Sequence, residues 1–148
     1  HRLSSAASDV YKRQDYFRSY LARINAIFNA DEGTGNQRLM GYFSRWLDVE
    51  NGVCNANRCL VVKLSAEVSD LSEPMRITLA SGAGQVIDSI AQCIESGIED
   101  GSIKVLDAQQ VATQLYQQWL GASLLNKLVQ DQSHLERSLE TTQSLLGA

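Results

Sequence analysis

The chain contains a single proline, Pro74, and no stretch of strict apolar/polar alternation of useful length. Proline interrupts a helix because its ring clashes with the preceding turn and it lacks a backbone N–H, so its near absence leaves long helices possible. Apolar residues instead recur at spacings of three and four, which is typical of amphipathic helices. The pattern therefore predicts an all-α fold of about six helices separated by short polar breaks.

The predicted helices are bounded by capping residues and glycine breaks. They are about Asp15 to Asn29, Gln37 to Glu50, Cys59 to Ser69, Ser72 to Glu99, a fifth opening at Asp107 and a sixth opening at Ser133, with an irregular loop from Val53 to Arg58. Ser72 is a good N-cap, while Asp107 and Ser133 each precede Gln or Glu by three residues, as in a capping box. Gly82 and Gly84 in the fourth helix indicate a close helix contact or a kink.

The first fourteen residues, HRLSSAASDVYKRQ, are considered separately from the predicted helices. The last six of them look like the translation of an adapter used in sequencing libraries, and the alternative is an ordinary Ser/Ala-rich leader. We expect residues 1–14 to be a disordered artefact and residues 15–148 to form one domain. Without the first fourteen residues the chain has 10 basic and 16 acidic residues, hence a net charge near −6 rather than −4.

Length and charge exclude several classes of protein. A chain of 148 residues can bury a sizeable core without disulfides or a structural metal. Its net negative charge lacks the excess of basic residues that is typical of nucleic-acid-binding domains. No run approaches the roughly 20 apolar residues that a membrane span requires. We expect a cytoplasmic protein with no membrane segment.

No catalytic constellation stands out in the sequence. Nucleotide-binding, metalloprotease and serine hydrolase motifs are absent, and the only histidines are His1 and His134. Cys54 and Cys59 lack a second Cys or His pair for zinc. A di-iron bundle would require Glu-x-x-His, which does not occur. We therefore predict that the protein is not an enzyme and uses neither a cofactor nor a metal.

The three cysteines differ in their expected surroundings. Cys93 falls on the apolar stripe of the long helix and is predicted to be core, whereas Cys54 in the loop could be a spectator or a resolving thiol. If Asn57 caps the third helix, Cys59 lies at the second helical position. Unpaired N–H groups there, with Arg58 and Lys63 nearby, would lower the pKa of its thiol. The alternative is that Cys59 is a small apolar residue buried at a helix start.

The last two helices carry apolar stripes that fit two arrangements. The residues concerned are Leu115, Trp119, Ala122, Leu135, Leu139 and Leu146. They could complete the core of a monomer. They could also form a dimer interface, because two such hairpins from two chains make a four-helix bundle.

The block from Cys59 to Glu73, followed by Met75-Arg76 and later by Trp119-Leu-Gly-Ala122 with Lys127, strongly resembles the C-terminal domain of TetR-type transcriptional repressors. The likeness spans nearly everything from Asp15 onward and is greatest for the branch that responds to N-ethylmaleimide and related electrophiles. It implies an all-helical domain that binds an effector and dimerises through its last two helices, around Val111–Val129 and Ser133–Leu146. It also implies an N-terminal helix-turn-helix that binds operator DNA, which is missing from this chain.

The resemblance implies two kinds of effector. In the electrophile-responsive branch a cysteine at the position of Cys59 is the redox sensor, and Lys127 matches a lysine that could stabilise its thiolate or condense with an oxidised sulfur. Modification would then release operator DNA from the intact homodimer. Alternatively, a non-covalent apolar effector enters a pocket lined by aromatic residues. The candidates for that lining are Tyr42, Trp46, Tyr116 and Trp119.

Overall fold

A computed structural model describes residues 5–65 and 72–147. Its helices are α1 Ser5–Phe28, α2 Gly35–Ser44, α3 Leu60–Ser65, α4 Glu73–Asp100, α5 Ala108–Val129 and α6 Ser133–Leu145. Two 3₁₀ turns, Arg45–Leu47 and Asn55–Arg58, flank a hairpin of β1, Val49–Glu50, and β2, Val53–Cys54. The all-α fold with six helices is confirmed, and the hairpin is a small addition to it.

The predicted second helix, Gln37 to Glu50, is wrong at both ends. Its true start is set by Thr34, which forms a reciprocal capping box with Gln37. After Ser44 the chain tightens into a 3₁₀ turn and then enters β1. Asn51 and Gly52 both have positive φ, the combination that a tight two-residue hairpin requires. They join β1 to β2, and β2 lies at the start of the irregular loop predicted from Val53 to Arg58.

Two other helices also differ from their predicted bounds. Helix α1 begins at Ser5, ten residues before Asp15, so the described residues that precede Asp15 are helical rather than disordered. The foreign origin of residues 1–14 stays a prediction. Helix α3 begins at Leu60 and is described as far as Ser65, and the predicted end at Ser69 lies outside the described residues.

Two of the four predicted N-caps, Ser72 and Asp107, are confirmed. The Ser72 hydroxyl accepts a hydrogen bond from the N–H of Met75, and the Asp107 carboxylate accepts one from the N–H of Gln110. The capping box predicted at Ser133 is wrong, because Ser133 is already the first helical residue. Its hydroxyl donates to Asp131, whose carboxylate also accepts the Ser133 backbone N–H.

Helix α4 lies at the centre of the packing and contacts α1, α2 and α5, while α6 packs on α5. At two glycines, α4 lies in close contact with a neighbouring helix. A Cβ on Gly35 of α2 would overlap the backbone of Gly97, and a Cβ on Gly82 would overlap the Phe17 ring of α1. Gly82 therefore marks a close helix contact, whereas a Cβ on Gly84 would meet nothing within 4 Å.

The C-terminal end of α1 is held in place by Arg38 of α2. Its guanidinium donates to the carbonyl oxygens of Phe28, at 2.8 Å, and Gly33, at 2.6 Å, and to the hydroxyl of Ser96 on α4, at 2.9 Å. Hydrogen bonds from a charged donor are stronger than those between neutral groups. One side chain thus joins the end of α1 to both α2 and α4. None of the helices in residues 5–65 and 72–147 is both long and apolar enough to cross a membrane.

Candidate functional site

A cavity of about 440 Å³ lies between α1, the two 3₁₀ turns, α3 and α5. Its volume falls within the range of about 300–1,000 Å³ that small-molecule sites occupy. Helix α1 supplies Tyr16, Phe17, Tyr20, Arg23, Ile24 and Ile27. The remaining walls are Tyr42, Arg45, Trp46, Glu50, Asn55, Ala56, Arg58, Cys59, Leu60, Val61, Val86 and Tyr116. One face of the C-terminal half of α1 therefore borders this space, which is mainly apolar and aromatic.

Cys59 lies in the wall of the cavity and is half-buried. It directly precedes α3, and its carbonyl accepts the first hydrogen bond of that helix, from the N–H of Lys63 at 3.0 Å. The predicted N-cap at Asn57 is wrong. Asn57 belongs to the 3₁₀ turn, and its side-chain oxygen accepts a hydrogen bond from Asn126 of α5 at 2.9 Å.

The pKa of the Cys59 thiol is raised, not lowered as predicted. Burial raises this pKa most strongly, because it disfavours the thiolate, and hydrogen bonds from the N–H groups of Val62 and Val61 offset only part of the effect. Arg58 does little to stabilise the Cys59 thiolate, since it forms an ion pair with Glu50 at 3.6 Å and donates to that residue's carbonyl. Cys59 is therefore mainly a thiol at neutral pH.

Two other cysteines lie away from the cavity lining. Cys93 is buried in the core, as predicted, and its thiol donates to the carbonyl of Gly35 at 3.5 Å. Burial raises the pKa of Cys93 to about 11. The buried thiol of Cys54 donates to the carbonyl of Trp46 at 3.2 Å. Among the three, only Cys59 borders the cavity.

Four tyrosines surround the inner part of the cavity. The hydroxyls of Tyr20 and Tyr42 share a hydrogen bond of 2.5 Å, and the Tyr16 ring stacks on Tyr20 with 6.1 Å between centroids. The Leu60 N–H donates to the Tyr16 hydroxyl, beside Cys59. Burial raises the pKa of each of these phenols, as it does for Tyr116. All four remain neutral hydroxyls around neutral pH.

Three of the four predicted aromatic residues line the cavity, namely Tyr42, Trp46 and Tyr116. Trp119 does not. It is fully buried, stacks on Phe43 with 4.7 Å between ring centroids, and therefore belongs to the core. Lys127 is exposed on α5, outside the lining, although its neighbour Asn126 contacts the 3₁₀ turn next to Cys59. The pairing of Lys127 with Cys59 stays a prediction.

The predicted interface residues lie mostly inside one chain. Leu139 is half-buried against the core. The other five are buried in it, namely Leu115, Trp119, Ala122, Leu135 and Leu146. The apolar surface that α5 leaves exposed is at its C-terminal end. It consists of Leu124, Leu125, Leu128 and Val129.

Sequence reasoning missed the contribution of α1 to the cavity. The apolar spacing of this helix draws attention to Phe17 and Ile24, whereas Tyr16, Tyr20 and Arg23 lie beside that stripe. Two tyrosines four residues apart on a helix share one face, which was an available signal. As to metals, residues 5–65 and 72–147 contain no group of three His, Cys, Asp or Glu side chains placed to hold an ion.

Comparison with known proteins identifies the family. Residues 35–142 match the model of the tetracyclin repressor-like C-terminal domain. The chain belongs to the TetR family of transcriptional regulators. Its match to the HTH-type transcriptional repressor NemR of Escherichia coli K12 is 32% identical over 147 residues, covering 97% of this chain and 73% of the relative. The repressor DhaR of Mycobacterium sp. strain GP1 is 28% identical over 127 residues, covering 85% of the chain and 62% of the relative.

Solved structures agree with this assignment. The crystal structure of reduced E. coli NemR superposes with a TM-score of 0.88 at 34% identity, covering 97% of this chain and 74% of that one. A second TetR/AcrR-family regulator has a TM-score of 0.86 at 33% identity and covers 97% and 75%. The TetR-family chain is thus a transcriptional repressor of the NemR kind. Its cavity is lined by residues of the matched range 35–142 and by α1, which precedes that range.

Proposed function

We propose that this chain is the sensing and dimerisation part of a repressor that responds to reactive electrophiles or oxidants through Cys59. In the intact cytoplasmic protein, modification of this thiol lowers affinity for operator DNA, which a helix-turn-helix binds. The observation that carries the proposal is the position of Cys59, the one described cysteine that borders the 440 Å³ cavity. A small electrophile that enters the cavity meets this thiol directly.

The route from Cys59 to the rest of the molecule runs through α1. An adduct on Cys59 adds atoms to a space that α1 walls along one face, from Tyr16 to Ile27. Cys59 itself packs in the wall of this space, so an adduct that contacts the close-packed side chains around the sulfur forces them to shift, and such overpacking costs about 1–3 kcal/mol. Displacement of α1 from α4 relieves this strain. A change of a few kcal/mol is sufficient to shift a two-state equilibrium between DNA-binding and released forms.

The proposed homodimer uses α5 and α6. The four exposed apolar residues at the end of α5, from Leu124 to Val129, support this, because four large apolar side chains close together favour burial against a second copy. We expect Leu128→Lys to shift the chain from dimer to monomer in sedimentation velocity experiments. Leu106→Lys, at an exposed residue before α5, is the matched control and should leave the dimer intact. A wild-type chain that sediments as a monomer contradicts this part of the proposal.

Lys127 has a secondary role in the proposal. It is one residue from Asn126, which contacts the turn preceding Cys59. A rotation at the end of α5 brings its amine toward an oxidised Cys59 sulfur, where it can condense. We expect Lys127→Gln to leave alkylation of Cys59 by N-ethylmaleimide unchanged and to prevent any sulfur–nitrogen crosslink after mild oxidation, as measured by intact mass. A crosslink that persists in this variant rules the role out.

The main test is the order in which the thiols react. The chain is treated with limiting N-ethylmaleimide, digested and analysed by mass spectrometry. Cys59 should be alkylated first, since Cys54 and Cys93 are buried and hydrogen-bonded in the fold. In the intact protein, the same treatment should release operator DNA in a mobility-shift assay. Reaction of Cys93 before Cys59 would overturn the sensor assignment.

A second candidate function is supported by the aromatic walls of the cavity. Tyr42, Trp46 and Tyr116 fit a non-covalent apolar effector that needs no thiol chemistry. The Cys59→Ser variant separates the two mechanisms. Operator release by thiol-unreactive compounds in this variant favours the non-covalent effector, whereas loss of the response to electrophiles with retained DNA binding favours the thiol.

A further inference from the structure

The charged side chains that line the cavity are mostly positive. Arg23, Arg45 and Arg58 line it together with a single carboxylate, Glu50. All four side chains are exposed, so they lie where the cavity opens to solvent, whereas the inner walls are phenols and apolar groups. Glu50 pairs with Arg58 at 3.6 Å, which leaves the other two guanidinium groups to set the sign of the field at the opening.

Arg23 and Arg45 have no carboxylate within ion-pair distance in the described part of the chain. The guanidinium of Arg23 lies over the Tyr20 ring, 5.8 Å from its centroid, and is thus directed along the cavity wall. The chain as a whole is acidic, with a formal charge of −4, so this positive opening is a local feature set against the net charge. Clefts with low-dielectric walls and charge of one sign concentrate ligands of the opposite sign.

We propose that the cavity selects electrophiles that carry an anionic group together with a planar conjugated body. The anionic group binds Arg23 and Arg45 at the opening, the planar part stacks among the tyrosines, and the reactive carbon faces Cys59. This inference rests on the proposed function, since it concerns the same thiol. It adds the class of compound to which that thiol is exposed.

The covalent step is a conjugate addition that needs no oxidant or reductant. The Cys59 thiol gives its proton to solvent, and the sulfur forms a bond to one alkene carbon of an activated double bond. The π pair of that bond shifts toward the adjacent carbonyl, and a solvent proton then adds to the neighbouring carbon. The anionic group does not react, so its effect on rate reports binding at the arginines alone.

The test compares two maleimides of equal shape, N-(4-carboxyphenyl)maleimide and N-(4-carbamoylphenyl)maleimide. The rate of adduct formation at Cys59 is measured by peptide mass spectrometry and divided by the rate for N-acetylcysteine amide with the same reagent. At about 10 mM salt the carboxylate reagent should react about tenfold faster than the amide, since a focused field raises rates by at least this factor. At about 1 M salt, where charges are screened beyond about 3 Å, the two normalised rates should converge.

Three charge-removing variants locate the effect. Arg23→Gln and Arg45→Gln should each reduce the carboxylate-to-amide ratio of normalised rates two- to threefold. Arg18→Gln removes a charge from the same helix outside the cavity, where Arg18 pairs with Asp15 at 2.5 Å, and should have no effect. Equal normalised rates at Cys59 for both reagents at low salt would overturn the anionic preference while leaving the sensor thiol in place. No reaction at Cys59 with either reagent would overturn both.

Discussion

The indole N–H of Trp119 donates a hydrogen bond of 2.9 Å to the hydroxyl of Thr142, and both side chains are fully buried. This bond joins α5 to α6 within one chain. The same hydroxyl donates to the carbonyl of Ser138 at 2.7 Å, so that its proton and its acceptor site are both used. The tryptophan is thereby fixed in the core, with its polar atom satisfied by the neighbouring helix.

Removal of the Thr142 hydroxyl should destabilise the chain. Thr142→Val preserves the shape but leaves the Trp119 N–H buried without a partner, which costs about 1–3 kcal/mol of unfolding free energy. The measurement is urea denaturation followed by tryptophan fluorescence. The neighbouring Thr141 is exposed, so Thr141→Val should change the unfolding free energy by less than about 0.5 kcal/mol. Equal effects of the two variants would show that the hydrogen bond contributes nothing.

The two glycines of α4 should respond oppositely to alanine. Gly82→Ala places a methyl group against the Phe17 ring and should lower the unfolding free energy by about 1–3 kcal/mol. Gly84→Ala meets open space and should raise it by about 0.5–1 kcal/mol through helix propensity. Thermal unfolding followed by circular dichroism distinguishes the two outcomes. Stabilisation by both substitutions would mean that α1 and α4 do not meet at Gly82.

The reactivity of Cys59 should depend steeply on pH. Because burial raises the pKa of this thiol, the thiolate fraction should still be rising at pH 9, where an unperturbed cysteine begins to level off. The rate of alkylation by N-ethylmaleimide should therefore keep rising to a higher pH for Cys59 than for N-acetylcysteine amide, whose thiol is unperturbed. Stopped samples analysed by mass spectrometry give the rates. A plateau below pH 8 would indicate a lowered pKa and contradict this expectation.

The buried thiol of Cys93 should make the fold sensitive to alkali. Its pKa is about 11 in the folded chain, whereas in the unfolded chain a cysteine ionises near about 8.5. The unfolded state therefore loses its proton first, and the unfolding free energy falls as pH rises from about 8.5 to 11, by roughly 3 kcal/mol. Urea denaturation at a series of pH values should show a shallower decline for Cys93→Ala. An unchanged slope in this variant would remove Cys93 as the cause.

The helices and two of the caps could be predicted from sequence because they depend on local signals. Ser72 and Asp107 bond to N–H groups three residues away, so the sequence around each is sufficient. Asn51-Gly52 carried an equally local signal, since this dipeptide favours a tight hairpin turn. It was interpreted as a helix terminator, and the hairpin was missed.

The environments of Trp119 and Cys59 could not be predicted in this way. An apolar stripe has the same spacing whether it packs on its own chain or on another, so only the contact with Phe43 and Thr142 assigns Trp119 to the core. The pKa of Cys59 depends on the competition between local N–H groups, which lower it, and burial by distant segments, which raises it more. The sequence contains the first influence but not the second.

The hydrogen bonds of Arg38 make the C-terminal end of α1 the pivot about which this helix can tilt. With its C-terminal end held by Arg38, the part of this helix from Asp15 to Phe28 is a lever about 20 Å long, since each residue adds about 1.5 Å. A tilt of about 5° around the Arg38 hydrogen bonds moves Asp15 by about 2 Å, several times the displacement at Ile27. The side chains that border the cavity lie between the two ends. A molecule that displaces the cavity-lining part of α1 by about 1 Å therefore produces a movement about twice as large at Asp15, the far end of that lever.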